Sequence, residues 1–180
     1  MKKRNYLITG RQGSGKTTVG KEFKKLGYTV FDIDHTDGLG KLRELKTNEL
    51  FDFSVITAQS PDGLVDWNKY WYEVQGDKLE EILNENDLVF ITGVASNIKD
   101  YYHLFNKVFV LMVDSGTARQ RLMNHEHASH HSKSELERII KNFEEKQQAM
   151  ITPAQNVVQT DALQSVKGIL RSIEEQIDIG

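Results

Sequence analysis

Short apolar runs along the chain alternate with segments of helical period. Tyr6–Thr9, Tyr28–Asp32, Leu88–Thr92 and Val108–Val113 read as strands, with Val157–Val158 a short fifth. Val19, Phe23 and Leu26 recur at i, i+4 and i+7, which predicts a helix from about Gly15 to Leu26, ended by Gly27. Asp77 to Leu83 predicts a helix with Asp77 as cap and Glu80 three residues on. A helix over about Thr117–Asn124 follows the fourth strand. Ser134 and Glu137 form a capping box for another, whose Leu136, Ile139, Ile140 and Phe143 face inward. Asp161 is expected to lead a last helix bearing Leu163, Val166, Leu170, Ile173 and Ile177. Residues 35–76 read as irregular, apart from a short helix over Leu39–Leu45. Strands alternating with helices in this way predict βαβ units around a parallel sheet.

Composition narrows the field. The 180 residues suit a single domain. Twenty-three basic residues stand against 26 acidic ones, for a net charge of −3, which argues against a general nucleic-acid binder. Absence of cysteine excludes disulfides, Cys-ligated zinc, iron–sulfur clusters and a thiol nucleophile, and is compatible with a cytoplasmic protein. Val108–Val113 falls far short of the ~20 apolar residues of a membrane span. Met1-Lys2-Lys3-Arg4 resembles a signal-peptide start, but only Tyr6, Leu7 and Ile8 follow before Thr9, so no h-region is expected.

One motif carries chemistry. Gly10-Arg11-Gln12-Gly13-Ser14-Gly15-Lys16-Thr17 fits the phosphate-binding pattern G-x-x-x-x-G-K-[ST], between a strand and an amphipathic helix. Glycines permit close backbone approach, and successive N–H groups then converge on phosphate oxygens at the helix N-terminus. Lys16 supplies charge to the β/γ-phosphates and Thr17 a hydroxyl to Mg²⁺. Asp32-Ile33-Asp34 closes the second strand, and in an extended chain its two carboxylates face one side. The third strand ends Phe90-Ile91-Thr92-Gly93, without the Asp of a Walker B motif, which weakens a motor-type ATPase reading.

These residues resemble those of small P-loop kinases, the adenylate-kinase-like and shikimate-kinase-like proteins. Gly10 to Thr18 and Gly93-Val94-Ala95-Ser96-Asn97 are similar to stretches of bacterial adenylate-kinase-like ATP-binding proteins. The resemblance implies a three-layer α/β/α P-loop nucleoside triphosphate hydrolase fold, with a five-stranded parallel sheet in the order 2-3-1-4-5. It implies ATP and Mg²⁺ as cofactors, a small-molecule or nucleotide acceptor, and a monomer or homodimer. Gly10, Arg11, Gln12, Gly13, Ser14, Gly15, Lys16, Thr17 and Thr18 would hold the nucleotide, and Asp32 would lie near Mg²⁺ through water. Asp34 would meet the acceptor and take its proton, with Lys16 and Arg121 as the other catalytic groups.

Arg121-Leu122-Met123-Asn124 keeps the first arginine of the family's R-[IL]-x-x-R and lacks the second; Arg121 is expected on adenine or the phosphates. Residues 124–133 are expected to form a mobile lid, whose His125–His131 stretch reads as a solvated loop, a phosphate-holding set or a metal site. Asp161 follows the last strand, where the family passes beside adenine, and also reads as a helix cap. Residues 35–76 correspond to the acceptor-binding insert, with Arg43 for an anion and Trp67, Tyr70 and Trp71 for a ring or a small local core. Ser96 and Asn97 face the acceptor or cap the following helix. A GTP switch is disfavoured, because Asn68-Lys69-Tyr70-Trp71 and Asn106-Lys107-Val108-Phe109 lack the Asp of N-K-x-D. Two readings remain: a kinase, or an NTP-binding, slowly hydrolysing module without a dedicated acceptor.

Overall fold

A parallel sheet runs through the middle of the molecule, described by a computed structural model for residues 3–60, 64–124, 133–151 and 156–177. Its strands are β1 (Arg4–Gly10), β2 (Val30–Asp32), β6 (Leu88–Thr92), β7 (Lys107–Met112) and β8 (Val157–Asp161), in the order β2-β6-β1-β7-β8. All four pairings are parallel. Strand β1 is central and buried from Asn5 onward, as a strand covered on both faces must be.

Alternation along the strands sends side chains to two layers. Tyr6, Ile8, Phe90 and Phe109 pack against α1 (Lys16–Lys25), α4 (Ser115–Asn124) and α7 (Val166–Glu174) on one face. Phe23 of α1 stacks on Phe90 with ring centroids 4.5 Å apart. Leu7, Val89, Ile91 and Val110 pack against α3 (Gly76–Glu85) and the 3-10 segment Ile98–Leu104 on the other.

The segment after β2 departs from expectation. It holds β3 (Gly40–Glu44), β4 (Leu50–Phe51) and β5 (Tyr70–Val74), an antiparallel sheet in the order β4-β3-β5, with α2 (Phe53–Gln59) beside it. The short helix expected over Leu39–Leu45 is therefore strand β3. Leu39, Leu42 and Leu45 recur at three-residue spacing and mimic a helix face, yet Leu45 is exposed while Leu42 is buried opposite Tyr72 of β5. Leu42, Ile56 and Val65 form a small core of their own. The three added strands also turn the expected strand numbering 2-3-1-4-5 into 2-6-1-7-8.

Helix starts differ from expectation as well. Gln75, not Asp77, stands at the N-cap position of α3, without a side-chain cap, and Asp77 lies in the first turn. The helix expected from Ser134 divides into α5 (Lys133–Ile140) and α6 (Phe143–Gln148) at Asn142, whose φ is +53°. Asp161 does not lead α7: it ends β8, and its carboxylate accepts the Leu163 N–H at 2.9 Å. Ser165 caps α7, accepting the Gly168 N–H at 3.2 Å. Most of the expected lid, 125–132, lies outside the described residues; Asn124 ends α4 and Lys133 begins α5. Among the described residues no helix is long and apolar enough to cross a membrane.

Candidate functional site

The loop 10–17 leaves the end of β1 and enters α1 through Gly15, which has φ +96° at the N-cap. Gly13, with φ +81°, lets the loop meet α4: a Cβ there would stand 2.8 Å from the Ala118 carbonyl oxygen. The loop's N–H groups at a helix N-terminus suit an anion of phosphate size. Residues 11–19 line one wall of a cleft of 1510 Å³.

Lys16 is buried in this wall, where its Nζ donates to the Arg11 carbonyl at 3.0 Å. Burial pushes its pKa down to about 8, against the pull of the Asp34 and Asp32 carboxylates; Arg11 lowers it further. Thr17 and Thr18 also line the cleft.

Asp32 and Asp34 do not share one face of an extended strand, because β2 ends at Asp32 and the chain turns. The Asp32 carboxylate accepts the Asp34 N–H at 2.9 Å and the Thr92 hydroxyl at 3.0 Å, and His35 Nδ1 stands 3.1 Å away. Thr92, at the end of β6, thus orients Asp32. Asp34 and His35 line the cleft. Its walls raise the Asp34 pKa by desolvation, and Asp32 raises it further; Lys16, the Tyr72 hydroxyl and His35 oppose this.

Tyr72 of β5 was not foreseen. Its hydroxyl donates to the Ile33 carbonyl at 3.0 Å and lies near enough to Asp34 to favour the charged form of its carboxyl. It reaches them across Gly40, where a Cβ would collide with the hydroxyl. Burial, then the Asp34 charge, raises the Tyr72 pKa. No local pattern marks this residue; its role comes from the β3–β5 pairing.

Arg121 of α4 lines the cleft and joins two backbone segments. Its Nη1 donates to the Gly13 and Ser14 carbonyls, both at 3.4 Å, and Nη2 to Ala162 at 2.7 Å. Ala162 lines the cleft, while Asp161 is not among its lining residues. The Arg11 guanidinium donates to the Ile139 carbonyl at 3.3 Å and stands 5.7 Å over the Phe143 ring, so it ties the loop to α5 and α6. Burial, then the charge of Arg138, lowers its pKa. Arg138 and Lys146, also unforeseen, line the same side. Arg138 lies 5.3 Å over the Trp67 ring, which joins α5 to the segment 35–76.

Arg43 is engaged elsewhere. Its Nε donates to Glu73 at 2.7 Å and its Nη1 to the Asn48 carbonyl at 3.0 Å, and it is not a lining residue. Asn97 neither faces the cleft nor caps with its side chain: its amide exchanges two hydrogen bonds with the Val74 backbone, at 2.8 and 3.0 Å. The Ser96 N–H donates to the Tyr72 carbonyl at 2.7 Å. The stretch 93–97 thus fastens the antiparallel sheet to the parallel one.

No protein-family model matches the chain, and no curated protein matches it. Solved structures do. A deoxyadenosine kinase from M. mycoides with bound dATP is 17% identical at a TM-score of 0.55, covering 98% of this chain and 98% of that one. A gluconokinase from Sinorhizobium meliloti 1021 is 16% identical at a TM-score of 0.55, covering 93% and 87%. A shikimate kinase from Bacteroides thetaiotaomicron is 19% identical at a TM-score of 0.53, covering 96% and 97%. The chain has the α/β fold of these P-loop kinases.

Proposed function

We propose that the protein is a kinase that moves the γ-phosphoryl group of ATP to a hydroxyl of a small molecule, with Mg²⁺. One observation carries this reading: Lys16 and Asp34 line the same cleft and shift each other's ionisation. A cationic phosphate cradle facing a carboxylate is what a transfer to a third group requires. The solved structures named above are kinases of a nucleoside, a sugar acid and shikimate by their descriptions, which supports the class.

In this reading, loop N–H groups and Lys16 hold the β- and γ-phosphates. The acceptor oxygen bonds to the γ-phosphorus as the bridging P–O bond to the β-phosphate breaks, and ADP leaves. Asp34 orients the hydroxyl and receives its proton, which then passes to solvent. Arg121 fixes the loop against α4 and carries charge beside the phosphates.

The donors present fit Mg²⁺. Thr17 offers a hydroxyl, and Asp32 is held in place by Thr92 with its side chain 19% exposed. Magnesium keeps several waters and needs one or two carboxylates plus phosphates, so an Asp32 contact through water matches this set. The ion would neutralise charge on the β- and γ-phosphates.

Incubation with ATP–Mg²⁺ and a panel of hydroxyl-bearing metabolites, followed by phosphorus NMR, tests the proposal. At least one metabolite should gain a phosphate as ADP forms, and Lys16→Ala should abolish this. A panel on which no compound stimulates ATP turnover would favour an NTP-binding module.

A further inference from the structure

Aromatic side chains gather where segment 35–76 meets the cleft. Phe53, Trp67, Tyr70 and Tyr72 all line it. Phe53 meets Tyr72 at right angles, with ring centroids 6.3 Å apart, and is still 46% exposed. A large ring left open to water inside a cleft forfeits hydrophobic stabilisation unless a ligand covers it. Tyr72 carries this wall to the end of β2, where its hydroxyl donates to the Ile33 carbonyl one residue before Asp34.

Charge on this wall is missing. Among the described residues, segment 35–76 contributes no lysine or arginine to the cleft lining. Arg43 is held by Glu73 and Asn48, Lys41 lies 3.5 Å from Asp52, and Lys69 lies 3.7 Å from Asp66. A phosphorylated acceptor needs a cation at its phosphate; segment 35–76 supplies no lysine or arginine to the cleft lining, and the nearest guanidinium, that of Arg138, already lies over the Trp67 ring at 5.3 Å. A flat ring needs a π surface, which this wall offers several times over.

We propose that the acceptor is an uncharged nucleoside, its base lying against Phe53, Trp67 and Tyr72 and its hydroxyl at Asp34. The inference rests on the phosphoryl-transfer reading. The nucleoside oxygen bonds to the γ-phosphorus, the bridging P–O bond breaks, ADP departs and the proton goes to Asp34.

The chain's two tryptophans, Trp67 and Trp71, both line the cleft from this segment, so intrinsic fluorescence reports on it selectively. The full-length protein is saturated with a non-hydrolysable ATP analogue and Mg²⁺, which blocks the nucleotide half. Adenosine, guanosine, cytidine and thymidine are then titrated, beside AMP, gluconate and shikimate. At least one nucleoside should quench the tryptophans saturably, and Phe53→Ala should weaken that binding about tenfold, the scale of base–aromatic stacking. Retained affinity for the ATP analogue shows that the variant is folded; otherwise Phe53→Leu takes its place with the same loss expected. Saturation by gluconate or shikimate alone, no response to any nucleoside, AMP binding tighter than adenosine, or unchanged affinity in the folded variant each overturns the proposal. The two readings fail separately. A bound nucleoside with no ATP consumed sinks phosphoryl transfer and leaves the ring site standing. ATP consumed only with gluconate or shikimate does the reverse.

Discussion

The Tyr72 hydroxyl donates to the Ile33 carbonyl at 3.0 Å, next to the Asp34 carboxyl whose charged form it favours, so the antiparallel sheet touches the end of β2 beside its ionisable group. A polar hydroxyl beside a carboxyl group favours its charged form. Tyr72→Phe should therefore raise the Asp34 pKa above its already raised value. Carbon-detected NMR titration of the Asp34 carboxyl reads this directly, and identical titration curves in parent and variant would remove Tyr72 from the electrostatics of the site.

The same carboxylate sets a pH-dependent stability. Its folded pKa is raised, so its contribution is fully present below the unfolded value of about 3.9 and is lost as pH rises through the folded value. At neutral pH Asp34 thus weakens the fold, and Asp34→Asn should melt higher than the parent. The gap should close below about pH 4. Calorimetric scans across this range check the sign; a variant that melts lower at neutral pH contradicts it.

Lys16 titrates near 8 in the free protein, and phosphate oxygens favour its charged form. Binding of ATP at about pH 9 should then take up a proton, and far less at about pH 6.5, where the ammonium is already formed. Titration calorimetry in buffers of different ionisation enthalpy measures the uptake. Binding heats that ignore the buffer at the higher pH would mean that Lys16 does not face the phosphates.

Arg121 holds three carbonyls with one planar group. Its replacement by Ala should cost about 2 kcal/mol of stability, the range for bonds from a charged donor, and weaken nucleotide binding. Lysine should restore little of either, since an ammonium cannot span Gly13, Ser14 and Ala162 together. Full recovery in Arg121→Lys, by melting temperature and ATP affinity, would reduce its role to charge alone.

The parallel half of the fold was legible because its signals are local. Leu7, Phe90 and Val110 sit in short apolar runs, and the glycines of 10–15 precede an amphipathic helix, so strand, turn and helix each announce themselves. Segment 35–76 was opaque for the opposite reason. Lys41-Leu42-Arg43-Glu44 carries a single buried side chain, and only pairing with Tyr72 across some thirty positions makes it a strand. Site residues divide the same way. Lys16, Thr17, Asp34 and Arg121 all line the cleft and stood in recognisable patterns, whereas Tyr72, Arg138 and Lys146 arrive there through tertiary packing. Asp161 misled because an aspartate after a strand serves a tight turn as well as a helix start, and here it makes the turn.

Segment 35–76 leaves and rejoins the parallel framework at nearly one point, since the Gln75 N–H donates to the Leu39 carbonyl at 2.8 Å. What lies between is a closed excursion with its own small core, and loop closure grows costlier only slowly with length. Such an excursion behaves as a cassette. If the acceptor binds there as proposed above, a designer wishing to redirect the chemistry to another compound would exchange what lies between those two anchors, leaving β1, α1 and the glycine loop untouched.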